Sequence, residues 1–186
     1  MLEPTDKWLC KLVEPKHPAL HKPADLDPFT APEDANWAQR EVDMFDLMTK
    51  RYGIGLASNQ IGNSYNMFVM NMKDSGDVGV YNPKILEFSK ETVQMEEGCL
   101  TFPLLFVHIT RPEKVKVSYT LYDGETEVEG WLEGMDARCF QHEYEHLQGD
   151  LFIDKVSEFK LQRAMKKREK YLKEIFDKHL PHEGGL

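Results

Sequence analysis

The spacing of apolar positions changes period several times along this chain. Between about residues 30 and 51 they recur at helical spacing, with Trp37, Met44, Phe45 and Met48 on one face. Thr30 is placed to cap this helix, with Pro32 in its first turn and acids at Glu33 and Asp34. Gly53-Ile54-Gly55 ends it. Residues 65–72 and 78–88 read as strands, and Asp74-Ser75-Gly76-Asp77 between them has turn chemistry. Val115, Val117, Tyr119 and Leu121 alternate with polar residues, as in a half-buried strand, and Asp123-Gly124 closes a hairpin into residues 126–132. The helical period returns over 135–147, where Met135, Cys139, His142 and His146 share one stripe that packs on the sheet. Gly149 is a natural stop. A second long helix spans 157–178, with Leu161, Ala164, Met165, Leu172, Ile175 and Phe176 on the side expected to pack on the domain. Residues 1–30 hold prolines at 4, 15, 18, 23 and 28, which predicts an extended arm lying on the core. The tail 182–186 is expected to be disordered.

These elements describe one α+β domain over 1–186. Mainly antiparallel sheets surround a central helix, with one helix before them and a long one at the C-terminus. A length of 186 residues suits a single core. The net charge of −9 argues against general nucleic-acid binding, DNA included. The basic residues are not evenly spread. Residues 157–179 carry eight Lys/Arg against four Asp/Glu, including a stripe of Lys160, Arg163, Lys166, Lys167 and Lys170. That stripe reads first as a solvated helix face, and second as a surface that could dock on RNA or a ribosome. Three cysteines, Cys10, Cys99 and Cys139, make a poor disulfide framework and point to a reducing, cytoplasmic setting. No apolar run reaches the roughly 18 residues of a membrane span, and the N-terminus lacks the apolar stretch of a signal peptide.

The chemistry concentrates at His142-Glu143-Tyr144-Glu145-His146, an H-E-x-x-H motif. Two histidines four apart on a helix project from one face and can bind one cation. The glutamate beside the first can reach a water on that cation as general base. Both histidines fall on the buried stripe, where an unpaired imidazole is costly and a metal satisfies both. A third ligand is missing from the motif. A lone cysteine is usually a small core residue. Cys99, however, sits in Glu96-Glu97-Gly98-Cys99-Leu100, where Gly98 allows close backbone approach. Cys139 lies one turn before His142 and would have to bend back, and Cys10 lies in the arm. Cys99 is the best candidate. Gly53-Ile54-Gly55-Leu56-Ala57-Ser58-Asn59-Gln60 is not a dinucleotide fingerprint, because no strand leads into it and the third glycine is absent.

With these three segments together, the chain resembles the peptide deformylase family, whose motifs are G-x-G-x-A-x-x-Q, E-G-C-x-S and H-E-x-D-H in that order. Here they stand as Gly53-Ile54-Gly55-Leu56-Ala57-Ser58-Asn59-Gln60, Glu97-Gly98-Cys99-Leu100-Thr101 and His142-Glu143-Tyr144-Glu145-His146. The resemblance runs from about His17-Pro18 into the last helix. It implies a metal-dependent hydrolase that removes the formyl group from formyl-methionine of newly made polypeptides. Cys99, His142 and His146 then hold one divalent ion, and Glu143 serves as general base and later acid. Gln60 and the backbone N–H of Leu100 bind the developing oxyanion. Gly55 pairs with substrate backbone, and Ile54 and Met135 line the methionine pocket. Thr101 and Glu145 depart from the family's serine and aspartate but keep the functional group. Arg138 falls where many members carry an apolar pocket residue, and so counts among the substrate-facing positions. Phe106 falls where bacterial members often carry an arginine. Both bear on peptide preference rather than on the reaction.

Two His and one Cys with an open position would by chemistry alone be read as zinc. The resemblance instead implies ferrous iron as the native ion, replaceable by nickel, cobalt or zinc. Two other function classes compete. One is an ordinary zinc peptidase: the metzincin type needs a third histidine where Phe152 stands, and a Glu-ligated type stays open but leaves Gln60 and Gly98-Cys99 without a job. A binding module that has lost catalysis would have no use for the complete ligand set and Glu143.

Overall fold

The computed structural model of this protein describes residues 11–30 and 36–179. Three helices are named here, α1 (Trp37–Lys50), α2 (Gly134–Gln148) and α3 (Glu158–His179). The strands are β1 (Gly55–Ala57), β2 (Met67–Met72), β3 (Gly76–Phe88), β4 (Thr92–Cys99), β5 (Phe102–Pro112), β6 (Lys114–Thr120) and β7 (Glu127–Glu133). Strands β1, β2, β3, β6 and β7 form one antiparallel sheet in that order, and β4 and β5 form a separate hairpin. The expected α+β arrangement with a C-terminal helix is present. None of the described helices is long and apolar enough to cross a membrane.

The apolar stripe of α2 decides the main core. Ala137, Phe140 and Leu147 press on Phe68 and Met70 of β2, Val80 of β3, and Val115, Val117 and Tyr119 of β6. Phe68 and Phe140 meet edge to face with centroids 5.1 Å apart, a favoured aromatic geometry. On the same stripe Cys139, His142 and His146 are buried, whereas Met135 is 53% exposed at the helix's first turn. The stripe therefore leaves the core at its N-terminal end. Gly149 closes α2 with a left-handed φ of 83°. A Cβ there would also stand 2.8 Å from the backbone N of Lys22, so glycine meets both demands. The described part of the arm is held in this way: Leu20 and Ala24 are buried, and the Ala24 N–H donates to Leu147 O at 2.8 Å.

On the second core, Met44 and Met48 of α1 pack with Leu56, Met67, Val69 and Tyr81. The cap expected at Thr30 is not there. Thr30 ends a short 3-10 turn, and Asn36 caps α1, its side chain accepting from Gln39 N–H. Asn competes well with Thr for this role. Pro32, Glu33, Asp34 and the Trp37 side chain lie outside the described residues, as do Cys10 and 182–186.

The apolar periodicity assigns no element to 92–112, yet these residues form the longest paired hairpin. Its buried residues, Leu105, Val107 and Ile109, pack on Phe152 in a third, smaller cluster. The hairpin leaves after β3 and returns before β6, although β3 and β6 are neighbours. The expectation that α3 packs its apolar side on the domain holds only at its start. Leu161 and Ala164 join the third cluster, and Arg168 Nε donates to Pro103 O at 2.7 Å. Beyond that point Tyr171 is 51% and Leu172 39% exposed.

Candidate metal centre

Helix α2 sets His142 and His146 one turn apart, with ring centroids 5.0 Å apart. The end of β4 brings Cys99 beside them, its Sγ 3.2 Å from His146 Nε2. Donor atoms of Cys99, His142 and His146 all lie within 4.8 Å of one another. In a tetrahedral site with bonds of about 2.0–2.3 Å, such donors stand about 3.3–3.6 Å apart, so the three donors would draw together around a small ion. Cys99 is half-buried, while His142 and His146 are buried. The rival thiol is turned elsewhere. Cys139 Sγ donates to Ile54 O at 3.3 Å, and burial, with Glu143 close by, holds that thiol well above its usual pKa.

The candidate ligand His142 is held by a buried ionic cluster. Glu97 Oε2 faces His142 Nδ1 at 3.1 Å, which leaves Nε2 of that ring for the ion. Such carboxylate–histidine pairs fix the tautomer of a metal ligand. The carboxylate also accepts from Arg111 Nε and Nη2 at 2.7 and 3.0 Å and from Arg138 Nη1 at 2.8 Å. Arg111 Nη1 reaches Glu145 Oε1 at 2.6 Å. Burial opposes the charge on Glu97, but His142 and the two guanidinium groups outweigh it and hold the carboxyl at about 2. Burial likewise opposes a proton on His142, but Cys99 and Glu97 raise it to about 10. His146 is pushed well down by burial, by His142 and by Arg111.

Glu143 follows His142 on α2 and interacts with its charge. It is buried, and among the described residues nothing bonds its Oε2. Burial raises its carboxyl to about 7, with His142 and the Ala57 N–H pulling the other way. Its neighbour explains Gly55. A Cβ at Gly55 would come 2.8 Å from Glu143 Cδ and 2.7 Å from Cys139 Sγ. Gln60 sits on the 3-10 turn Ser58–Ile61 that follows β1. Its Oε1 accepts from Ala57 N–H at 2.8 Å, while Nε2 donates to Thr101 Oγ1 at 3.1 Å and faces Cys99 Sγ at 3.4 Å. The amide is thus aimed at the ligand cluster. Leu100 follows Cys99 in the turn between β4 and β5.

A sequence profile described as polypeptide deformylase matches residues 9–162. The chain belongs to the polypeptide deformylase family. Peptide deformylase of Thermotoga maritima is 47% identical over 124 residues, which is 67% of this chain and 74% of that protein. The crystal structure of the peptide deformylase from that organism superimposes with a TM-score of 0.72 at 41% identity, over 81% of this chain and 99% of that one. The peptide deformylase of Synechococcus elongatus, in complex with actinonin, superimposes with a TM-score of 0.77 at 32% identity over 86% of each chain. Deformylases remove the formyl group from the N-terminal methionine of nascent peptides and depend on a metal. The three-residue cluster found here fits a divalent ion.

Of the residues expected to face substrate in this deformylase, Ile54 and Met135 are exposed, and Gly55 lies on β1, an edge strand of the sheet. Arg138 is a correction. It is 4% exposed, and its guanidinium is spent on Glu97 Oε1, Ile109 O and Val93 O. A cation this deep is stable only when fully paired, and pairing turns it away from any peptide. Arg111 escaped notice in the sequence. Its signal was an inward position in the alternation Leu105, Val107, Ile109, Arg111, where an apolar residue belongs.

Proposed function

We propose that Cys99, His142 and His146 are the metal ligands of this deformylase and that Glu143 is its general base and acid. One observation carries the reading: a buried carboxyl, raised to about 7, stands beside a Cys/His/His donor cluster with no other partner for its Oε2 among the described residues. A divalent ion held there would supply Lewis acidity toward the formyl oxygen and would acidify the attacking water. Glu143 takes the proton of that water as the new C–O bond forms, then delivers it to the amine nitrogen as the C–N bond breaks. The products are formate and a free α-amine. The chemistry is amide hydrolysis on a formamide. Gln60 Nε2 and the Leu100 N–H stabilise the oxygen that gathers charge; one such donor is worth roughly 3–4 kcal/mol elsewhere.

Ile54 and Met135 take the methionine side chain, and Gly55 offers the free edge of β1 to the substrate backbone, an extension mode that needs main-chain bonds only. The resident ion is ferrous iron, with zinc, nickel or cobalt as substitutes. The enzyme works in the cytoplasm, on nascent chains. The basic stripe of α3 is first a solvated face; as a second reading it is the surface for a ribosome, which salt-dependent co-sedimentation would test.

The test compares a formyl-Met peptide with an internally quenched peptide on the metal-loaded protein. Formate release from the first and no cleavage of the second is expected. Cleavage of the internal bond at a comparable rate would make it a peptidase instead.

A further inference from the structure

Helix α2 and the β4–β5 hairpin carry the ligands separately: His142 and His146 on the first, Cys99 on the second. Their relative placement sets the size of the cluster. Arg138, on α2 one turn before His142, grips the hairpin at three points. Nη2 donates to Val93 O on β4 at 2.7 Å, and Nη1 donates to Ile109 O on β5 at 3.1 Å and to Glu97 Oε1 at 2.8 Å. Glu97 is itself the partner of His142 Nδ1. Its carboxylate has four donors, two to each oxygen. With Arg138 holding Oε1, Oε2 stays turned to the histidine ring. We propose that Arg138 is a positioning residue of the metal centre, fixing the distance of Cys99 from the two histidines and the orientation of Glu97 against His142. An apolar side chain could fill the same volume. It could not hold two backbone carbonyls and a carboxylate at once, nor could lysine, whose single ammonium lacks the planar fork.

A second anchor on the same helix provides the comparison. Gln141 Nε2 donates to Pro112 O at 3.1 Å, tying α2 to the base of the same hairpin. Its other bond is to Ala137 O on the same helix, so it holds neither Glu97 nor a candidate ligand atom among the described residues. If Arg138 only stabilises the fold, losing either anchor should act alike.

The inference rests on the ligand assignment above. Zinc-loaded parent, Arg138→Met, Arg138→Lys, Gln141→Met and His146→Ala proteins are transferred into a chelating dye, and zinc release is timed alongside thermal melting. Changes in groups behind metal ligands cost roughly 10–100-fold in affinity or activity. Arg138→Met should release zinc at least tenfold faster than parent and Arg138→Lys at least threefold faster, with Gln141→Met below threefold. Should Arg138→Met not fold, Arg138→Lys decides. Release below threefold for the Arg138 variants, or Gln141→Met matching them, overturns the positioning role. His146→Ala separates the two readings. If it holds zinc like the parent, the ligand assignment fails and this inference with it; if it loses zinc while the Arg138 variants keep theirs, only this inference falls.

Discussion

Glu143 and Gly55 show how little room the site leaves. Among the described residues nothing hydrogen-bonds Glu143 Oε2, and burial raises the carboxyl to about 7 against the pull of His142. Gly55 is the wall against which it rests, and the wall works only without a side chain. Gly55→Ala should push the Glu143 carboxylate aside by a fraction of its Cβ overlap. A displacement of about 1 Å at a reacting group can cost on the order of 100-fold in rate. Deformylation kinetics on the folded, metal-loaded variant should show that loss in kcat. Turnover within a few-fold of parent would mean the carboxylate is not held where it is needed. At this scale the sequence was readable for the meeting of His142 and His146 with Cys99, because two histidines four apart on a helix share a face. It was unreadable for Arg138 and Arg111, whose roles depend on Glu97 arriving from another element.

Elements were legible where one face is buried on the large sheet. Strand β6 shows its alternation because Val115, Val117 and Tyr119 all meet α2. The β4–β5 hairpin was not, since β4 buries little and its inward Glu97 and the Arg111 of β5 interrupt the apolar rhythm. Helix α3 misled in the opposite direction: its spacing is amphipathic, but the domain ends before the helix does. Truncation after Lys170 should therefore leave both stability and short-peptide turnover nearly intact. Thermal melting should move by less than about 3 °C, the shift that roughly 1 kcal/mol produces in a domain of this size. A larger drop, or lost turnover in a folded truncation, would show that the far half of α3 supports the core.

At the scale of the whole molecule, an ion on the proposed ligands would cross-link the β4–β5 hairpin to helix α2. Cys99 rides on the hairpin and the histidines on the helix packed against the sheet. A ligand that binds only the folded chain stabilises it by mass action. Chelation should therefore lower the melting temperature of the parent, while Cys99→Ala should already melt low and respond little to chelator. Equal chelator shifts in both proteins would remove Cys99 from the ligand set. Overall architecture was predictable as α+β because strands and helices segregate along the chain. The separation of ligands onto two bodies was not, because no local pattern records which elements meet.

The account stands most directly on the separation of metal binding from proton transfer. Glu143→Ala, with bound metal and formate release from a formyl-Met peptide measured on the same sample, tests that separation. The expected result is metal content equal to the parent's and no detectable formate. Formate release above a few per cent of the parent's, or loss of the metal together with the carboxylate, would contradict it.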